Sequence, residues 1–259
     1  MTRPLPSSSR EPDWSDFEAE LDRWSGAGRQ VTFWWRDDDA VAATPALARL
    51  LALAEGMPLA LAVIPGNAEP SLADALARHE SVRVLQHGWR HTNHGGTVKS
   101  ELGAERPLGQ RLDELSAGRD RLRVLFGARV LPMLVPPWNR IGEDLVAMLP
   151  SLGFRALSTY KPRRAALAAP GLAAINTHVD LVEWSGSRGF IGESAALGLA
   201  LGHLRARRLG VADAAEPTGL LTHHLVQDAA TDDFLRRFLA LAREHRGARL
   251  LDLAELVPS

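Results

Sequence analysis

The chain contains no cysteine. That absence excludes a disulfide framework, thiolate zinc sites and a cysteine nucleophile, so any metal must sit on histidine, aspartate or glutamate. Lysine occurs only at Lys99 and Lys161, and nearly all the positive charge is arginine. The formal net charge is -1 over 259 residues, which gives no electrostatic basis for binding nucleic acid or an anionic membrane surface. No apolar run reaches membrane-spanning length, and the stretch from Met1 to Arg29 is polar and acidic without the apolar core of a signal peptide. These absences predict a cytoplasmic protein that engages neither nucleic acid nor membrane. No internal repeat, linker or shift in composition argues for a second large domain.

What is present is an alternation of strand-like and helix-like segments. Residues 1–12 are rich in Pro, Ser and Arg and read as a tail, and Trp14, Phe17, Leu21 and Trp24 recur on one face of a helix over 13–24. Together these fill residues 1–29, ahead of one domain over 30–259. A buried strand is expected over 31–36, followed by helix 45–55, strand 59–64, helix 71–78 and strand 82–86. Then come a long helix over 107–126, strand 130–135, helix 142–149, strand 154–159 and a strand region with a break over 173–182. Helix 193–208, strand 219–224 and helix 231–246 complete the chain. The alternation predicts an α/β fold with a parallel sheet, either a closed barrel or an open doubly wound sheet.

Unusual polar residues fall at or just after the ends of five of these strands: Asp37-Asp38-Asp39, His87, the segment from Pro136 to Asn139, Asp180 and His223. In α/β barrels the C-terminal ends of the strands form the active-site face. His87 and His91 are four residues apart, so a helical turn or compact loop brings both imidazoles to one centre. One carboxylate with two neutral imidazoles is a three-ligand set that leaves positions open on a divalent metal. Taken alone, the acidic triplet also fits a helix cap with solvated charge, and the histidine pair also fits a chance match on a polar loop.

The ordered set resembles the polysaccharide deacetylases, the NodB-type domain of carbohydrate esterase family four. The matching residues are the acidic pair at the first strand end, His87-x-x-x-His91, Pro136-Pro137-Trp138, Asp180-x-x-x-Trp184 and Leu221-x-His223, spanning roughly residues 31–224. The resemblance implies a distorted parallel (β/α) barrel of about seven strands over 30–259. It implies Asp38 as general base and Asp39, His87 and His91 as metal ligands, with a register shifted by one giving the acidic roles to Asp37 and Asp38. His223 is implied as the general acid, with His224 as its rival. Pro137, Trp138, Asn139 and Trp184 are expected at the substrate, and Asp180 is expected to support the catalytic histidine. The implied metal is zinc, with cobalt, nickel or manganese as alternatives.

Two departures stand out. The family places an arginine just ahead of the Pro-Pro segment to pair with the catalytic base, whereas this chain has Met133-Leu134-Val135. Arg36, Arg90 and Arg140 are candidates to supply that charge. Gly88 stands where the family commonly has Ser or Thr, and Asn93 or His94 could replace the lost hydrogen bond. Trp34, Trp35, Trp89, Trp138 and Trp184 are candidates for sugar stacking or for core. His178 reads as a support or a bystander, and Arg205, Arg207 and Arg208 as a solvated helix end.

Three functions are compatible with these residues. They are metal-dependent removal of an acyl (acetyl) group from an N-acetylated sugar or glycan precursor, hydrolysis of another C–N bond in a small metabolite, and glycan binding by a degenerate domain. A cytoplasmic chain favours a soluble precursor, oligosaccharide or nucleotide-linked sugar over mature wall polymers.

Overall fold

A computed structural model gives the architecture, and residues 10–258 are described. The tail expected over 1–12 lies outside them up to residue 9. In chain order the strands are β1 (Val31–Ala40), β2 (Leu59–Val63), β3 (Val82–His87), β4 (Val130–Val135), β5 (Ala156–Leu157), β6 (Leu167–Ala169), β7 (Leu172–Ala174), β8 (Val179–Asp180), β9 (Thr218–Thr222) and β10 (Ala248–Leu250). The helices are α1 (Trp14–Gly26), α2 (Pro45–Leu53), α3 (Pro70–Leu76), α4 (Leu108–Phe126), α5 (Glu143–Val146), α6 (Glu193–Arg208) and α7 (Ala229–Glu244). The sheet runs β6-β7-β5-β4-β3-β2-β1-β9-β8, parallel throughout except for the β6–β7 hairpin, and β10 lies parallel to the start of β1.

The break expected over 173–182 is where the barrel closes. The segment after β7 pairs first with the chain beyond β5, through Thr177 N–H to Thr159 O at 3.0 Å. It then crosses to β9, through His178 N–H to Gly219 O at 2.7 Å. A single extended segment therefore spans the gap, which leaves β5, β7 and β8 only two or three residues each. Pro150 follows α5 and cannot donate a helical hydrogen bond, so the helix expected over 142–149 shortens to one α-turn and a 3-10 turn. Strands β6 and β10 were not anticipated; they are Leu-Ala-Ala and Ala-Arg-Leu, with no alternation to mark them.

The period of two along β1 divides the core. Trp34 fills the barrel interior with Ala60, Ala62, Leu85, Met133 and Val135, while Val31, Phe33 and Trp35 face outward to the helices. The close fit at Trp34 needs Gly219, where a Cβ would come within 2.5 Å of the indole nitrogen. The outer layer is led by aromatic contacts, with Phe17 of α1 at 6.0 Å from Phe33 and Phe238 of α7 at 5.1 Å from it. Helix α1 is fixed at its start by a capping box between Asp13 and Asp16. The parallel strands deliver their C-terminal ends to one face, and the site lies there.

Candidate active site

Strand β1 does not stop before the aspartates but carries all three, and each does something different. Asp37 points outward. It accepts from the Thr222 hydroxyl at 2.7 Å, from the His224 backbone at 3.0 Å and from His224 Nδ1 at 2.5 Å. Asp38 points inward beside Arg36, which grips it with Nε at 2.8 Å from one oxygen and Nη2 at 3.0 Å from the other. The same guanidinium donates to Ser158 Oγ and Asn139 Oδ1, and it is fully buried. Asp39 breaks the strand alternation with a left-handed φ of 73°, where the β1–β2 register also slips. The turn swings its carboxylate towards the histidines.

His87 ends β3, and its Nε2 lies 3.1 Å from Asp39 Oδ1; His91 Nε2 lies 3.4 Å from the same oxygen. The His87 ring contacts the Val135 carbonyl through Nδ1 at 2.9 Å, and a carbonyl can only accept. The Nδ1 proton is thereby fixed, and Nε2 offers its lone pair to a cation. Histidines that hold metals show this arrangement. Asp39 Oδ1 has no hydrogen-bond partner although it is buried. Three convergent donors around an orphaned oxygen fit a divalent cation. Burial works against an ionised Asp39, but the adjacent His87, with His91 and His223 beyond it, outweighs that and holds the carboxyl well below its ordinary range. Burial likewise opposes charge on His87, yet Asp38 and Asp39 raise its pKa, whereas burial and then His87 lower that of His91.

The loop carrying His91 is held by a residue that the motifs did not reveal. Glu101 is 1% exposed and accepts from three backbone amides: Trp89 at 2.9 Å, Arg90 at 2.8 Å and Thr92 at 3.2 Å. Gly88 has φ 56°, and a Cβ there would lie 2.1 Å from Glu101 Oε2 and 2.6 Å from Pro137. A serine or threonine at 88 is therefore excluded. Its supporting bonds come from Glu101, not from Asn93 or His94; Asn93 instead organises the turn around Gly95, Gly96 and Ser100. No local spacing marks a glutamate thirteen residues after Gly88, so sequence reasoning had no signal for it.

A cleft of about 450 Å³ opens over these groups and also exposes Trp138, Asn139, Asp180, Trp184 and His223. His223 Nε2 is 4.0 Å from Asp38, and Trp184 meets the imidazole edge-on at 4.7 Å. Asp180 and Trp184 were expected in one segment supporting the catalytic histidine. Asp180 accepts from Trp184 Nε1 at 2.8 Å and from the Val182 backbone, and burial raises its pKa. The indole it holds is the one that meets the His223 ring. His224 is held on Asp37, on the other side of β1, and does not line the cleft. Pro137 is buried against Gly88 and does not line it either, so that residue packs the loop from beneath. Trp138 lies against His91 at 4.2 Å, with φ 55°. Trp34 and Trp35 are core, and Trp89 sits under Arg90.

His178 belongs elsewhere. With His203 and Glu216 it forms a second, fully buried group of two imidazoles and a carboxylate; His178 Nε2 is 3.2 Å and His203 Nε2 3.5 Å from Glu216. His178 Nδ1 accepts from the Gly219 amide, which places its proton on Nε2, facing Glu216. A nitrogen carrying a proton cannot ligate a cation, so His178 is set to face Glu216 as a donor, and His203 is held beside it through Nδ1 on Thr218 Oγ1 at 2.9 Å. Arg207, expected in solvent, is buried here and donates to Thr218 and Thr32.

No family model matches the sequence, and no curated protein matches it. Solved structures do match the fold. A Mycobacterium smegmatis protein described as a polysaccharide deacetylase superposes with a TM-score of 0.61 at 16% identity, over 96% of this chain and 93% of that one. The Bc1960 peptidoglycan N-acetylglucosamine deacetylase gives 0.59 at 16% identity over 88% of each chain. A Streptococcus mutans esterase of carbohydrate esterase family four gives 0.56 at 15% identity, over 90% of this chain and 91% of that one. The fold is the NodB-type distorted barrel of the family-four deacetylases.

Proposed function

We propose that this chain is a metal-dependent hydrolase that removes an acyl group, acetyl in the simplest case, from the nitrogen of an N-acylated sugar. The observation that carries the reading is the joint placement, in one cleft, of Asp38, His223 and the convergent donors of Asp39, His87 and His91. A divalent ion bound by Asp39, His87 and His91, zinc foremost, would supply Lewis-acid polarisation of the acyl carbonyl and acidify a water. Asp38 takes the proton of the attacking water, its carboxylate fixed in direction by Arg36. His223, across the cleft, donates a proton to the departing nitrogen as the C–N bond breaks. Trp138 and Trp184 flank the centre with half-open aromatic faces suited to a sugar ring. The products are a carboxylate and a free amine.

Arg36 bears on the degenerate alternative. A charge beside Asp38 is supplied instead from β1 itself by Arg36, with Nη2 donating at 3.0 Å and Nε 2.8 Å from the other carboxylate oxygen. Arg90 and Arg140 make no contact with Asp38; Arg90 covers Trp89 and Arg140 donates to Lys99 O. The test is acetate release from a panel of N-acetylated mono- and oligosaccharides set beside small cyclic amides, with zinc, cobalt or manganese added to the chelator-treated protein. Turnover of acetylated sugars that depends on added metal supports the reading. Turnover of cyclic amides alone transfers it to the other hydrolase class, and sugar binding with no turnover under any metal leaves the degenerate domain.

A further inference from the structure

The carboxylates and cations around the cleft are unequally occupied. Asp38 is tied to Arg36, Asp39 to the imidazoles and Asp180 to Trp184. By contrast Lys99, Arg140 and Arg188 line the same cleft, are exposed and have no carboxylate within ion-pair distance among the described residues. The cleft shares Asn139, Arg140 and Tyr160 with a second basin of about 760 Å³ that adds Arg164, and a third cavity of about 490 Å³, sharing Tyr160 and Arg164, adds Lys161. The two lysines of the chain thus line two of three adjoining cavities. Elsewhere some exposed arginines meet an acid, as in Arg23 with Glu20, Arg236 with Asp233 and Arg249 with Glu255.

Backbone conformation points the same way. Among the described residues, six non-glycine residues have left-handed φ: Asp39, His91, Trp138, Asn139, Lys161 and Arg188. Four belong to the reaction centre described above. The other two are exposed cations held at hydrogen-bonded turns, Lys161 N–H bonding Thr177 O and Arg188 N–H bonding Glu183 O, so each is presented from a fixed place. Arg140 is also pre-aimed, since Nη1 donates to Lys99 O at 2.8 Å and its other nitrogens are left free.

We propose that Lys99, Arg140 and Arg188 form a subsite for an anionic group, phosphate or carboxylate, on the acylated sugar, with Lys161 and Arg164 extending it into the adjoining cavities. This rests on the deacetylase reading and names the substrate class within it. An exposed cation gains roughly two- to fivefold from one such pairing, so three acting together give a preference on the order of 30-fold. The field of the cleft adds a salt-sensitive gain in association rate.

The test compares N-acetylglucosamine, N-acetylglucosamine 1-phosphate and N-acetylmuramic acid, which are neutral, phosphate-bearing and carboxylate-bearing. Readouts are kcat/KM with metal-loaded protein and calorimetric binding to Asp38→Asn. The expected result is a preference for one or both charged sugars that shrinks about two- to fivefold in each of Lys99→Gln, Arg140→Gln and Arg188→Gln, collapses in the triple variant, and fades in high salt in the wild type. Phosphate over carboxylate, or the reverse, identifies the anion. Turnover of all three sugars without a charge preference overturns the subsite and leaves the deacetylase reading standing. Charged sugars that bind in a variant-sensitive manner but are never hydrolysed keep the subsite and remove the deacetylase reading. A preference that survives the triple variant, or absence of any binding, overturns the subsite.

Discussion

Two groups in this molecule have the same composition, two histidines and one carboxylate, and opposite chemistry. In Asp39, His87 and His91 the outer ring nitrogen of His87 is committed to a carbonyl acceptor, which leaves Nε2 free to ligate. In Glu216, His178 and His203 the outer ring nitrogen of His178 accepts from a backbone amide, which puts the proton on Nε2. One backbone atom, a carbonyl in one case and an amide in the other, separates an imidazole with a free Nε2 lone pair from one whose Nε2 carries the proton. Residue type and spacing alone do not make that distinction.

The largest effects should come from breaking the first group and its partners. Asp38→Asn is expected to lower kcat by about 10³-fold, within the range of a lost general base, while metal content measured by elemental analysis stays at the wild-type level. His223→Ala should lower kcat by about 10²-fold or more and flatten one limb of the pH–rate profile. If either variant also loses its metal, the separation of roles proposed here fails.

Arg36 comes next. Its loss leaves Asp38 buried without its partner, so Arg36→Ala should cost about 3–5 kcal/mol in denaturant unfolding and should lower kcat of the folded fraction. Arg90→Ala, which touches only Trp89 and the neighbouring loop, should change kcat less than threefold. Equal effects from the two would show that the guanidinium beside Asp38 has no special place.

Glu101 sharpens the first group from outside. Glu101→Gln should weaken zinc affinity about 10- to 100-fold through the loosened loop, with kcat recovering at saturating zinc. Unchanged affinity would reduce Glu101 to loop packing.

The smallest effect belongs to the second group, and it is one of stability. Burial pushes the folded His178 down to about 4, and its two imidazole neighbours hold Glu216 down to about 2 against the effect of burial. Both folded values lie below the unfolded ones, so the unfolded chain binds more protons and stability falls as the pH drops. The loss due to His178 should run from about pH 6.5 to 4, and that due to Glu216 from about 4.5 to 2, together on the order of a few kcal/mol. Glu216→Gln should flatten the lower part of that profile in urea titrations, without altering metal content. A profile that keeps its slope would show that the second group is not the acid-sensitive element.

Much of this was legible in the sequence because the long elements repeat their pattern. Helix 193–208 has the same bounds in the structure, and the central strands match within a residue or two at most ends. The short strands near the closure escaped, since two or three residues carry no period and their pairing depends on a crossing that only the closed barrel creates. At the site, the order of motifs brought Asp38, Asp39, His87, His91 and His223 forward as candidates, and they do converge. Which of Asp37, Asp38 and Asp39 faces which way was not legible, because the left-handed turn at Asp39 breaks the alternation that would have assigned them. The choice among Arg36, Arg90 and Arg140 also needed the fold: Arg36 is two residues from Asp38 on the same face of β1, a relation that counts only once β1 is known to run through both.

The contrast between the two groups can be tested directly by counting zinc. Elemental analysis of purified protein, loaded with zinc and dialysed, should give one ion per chain, fall to none in Asp39→Ala with His91→Ala, and stay at one in Glu216→Gln. Two ions per chain, or one ion that survives loss of Asp39 and His91 but vanishes with Glu216, would contradict the assignment of the cation to the cleft.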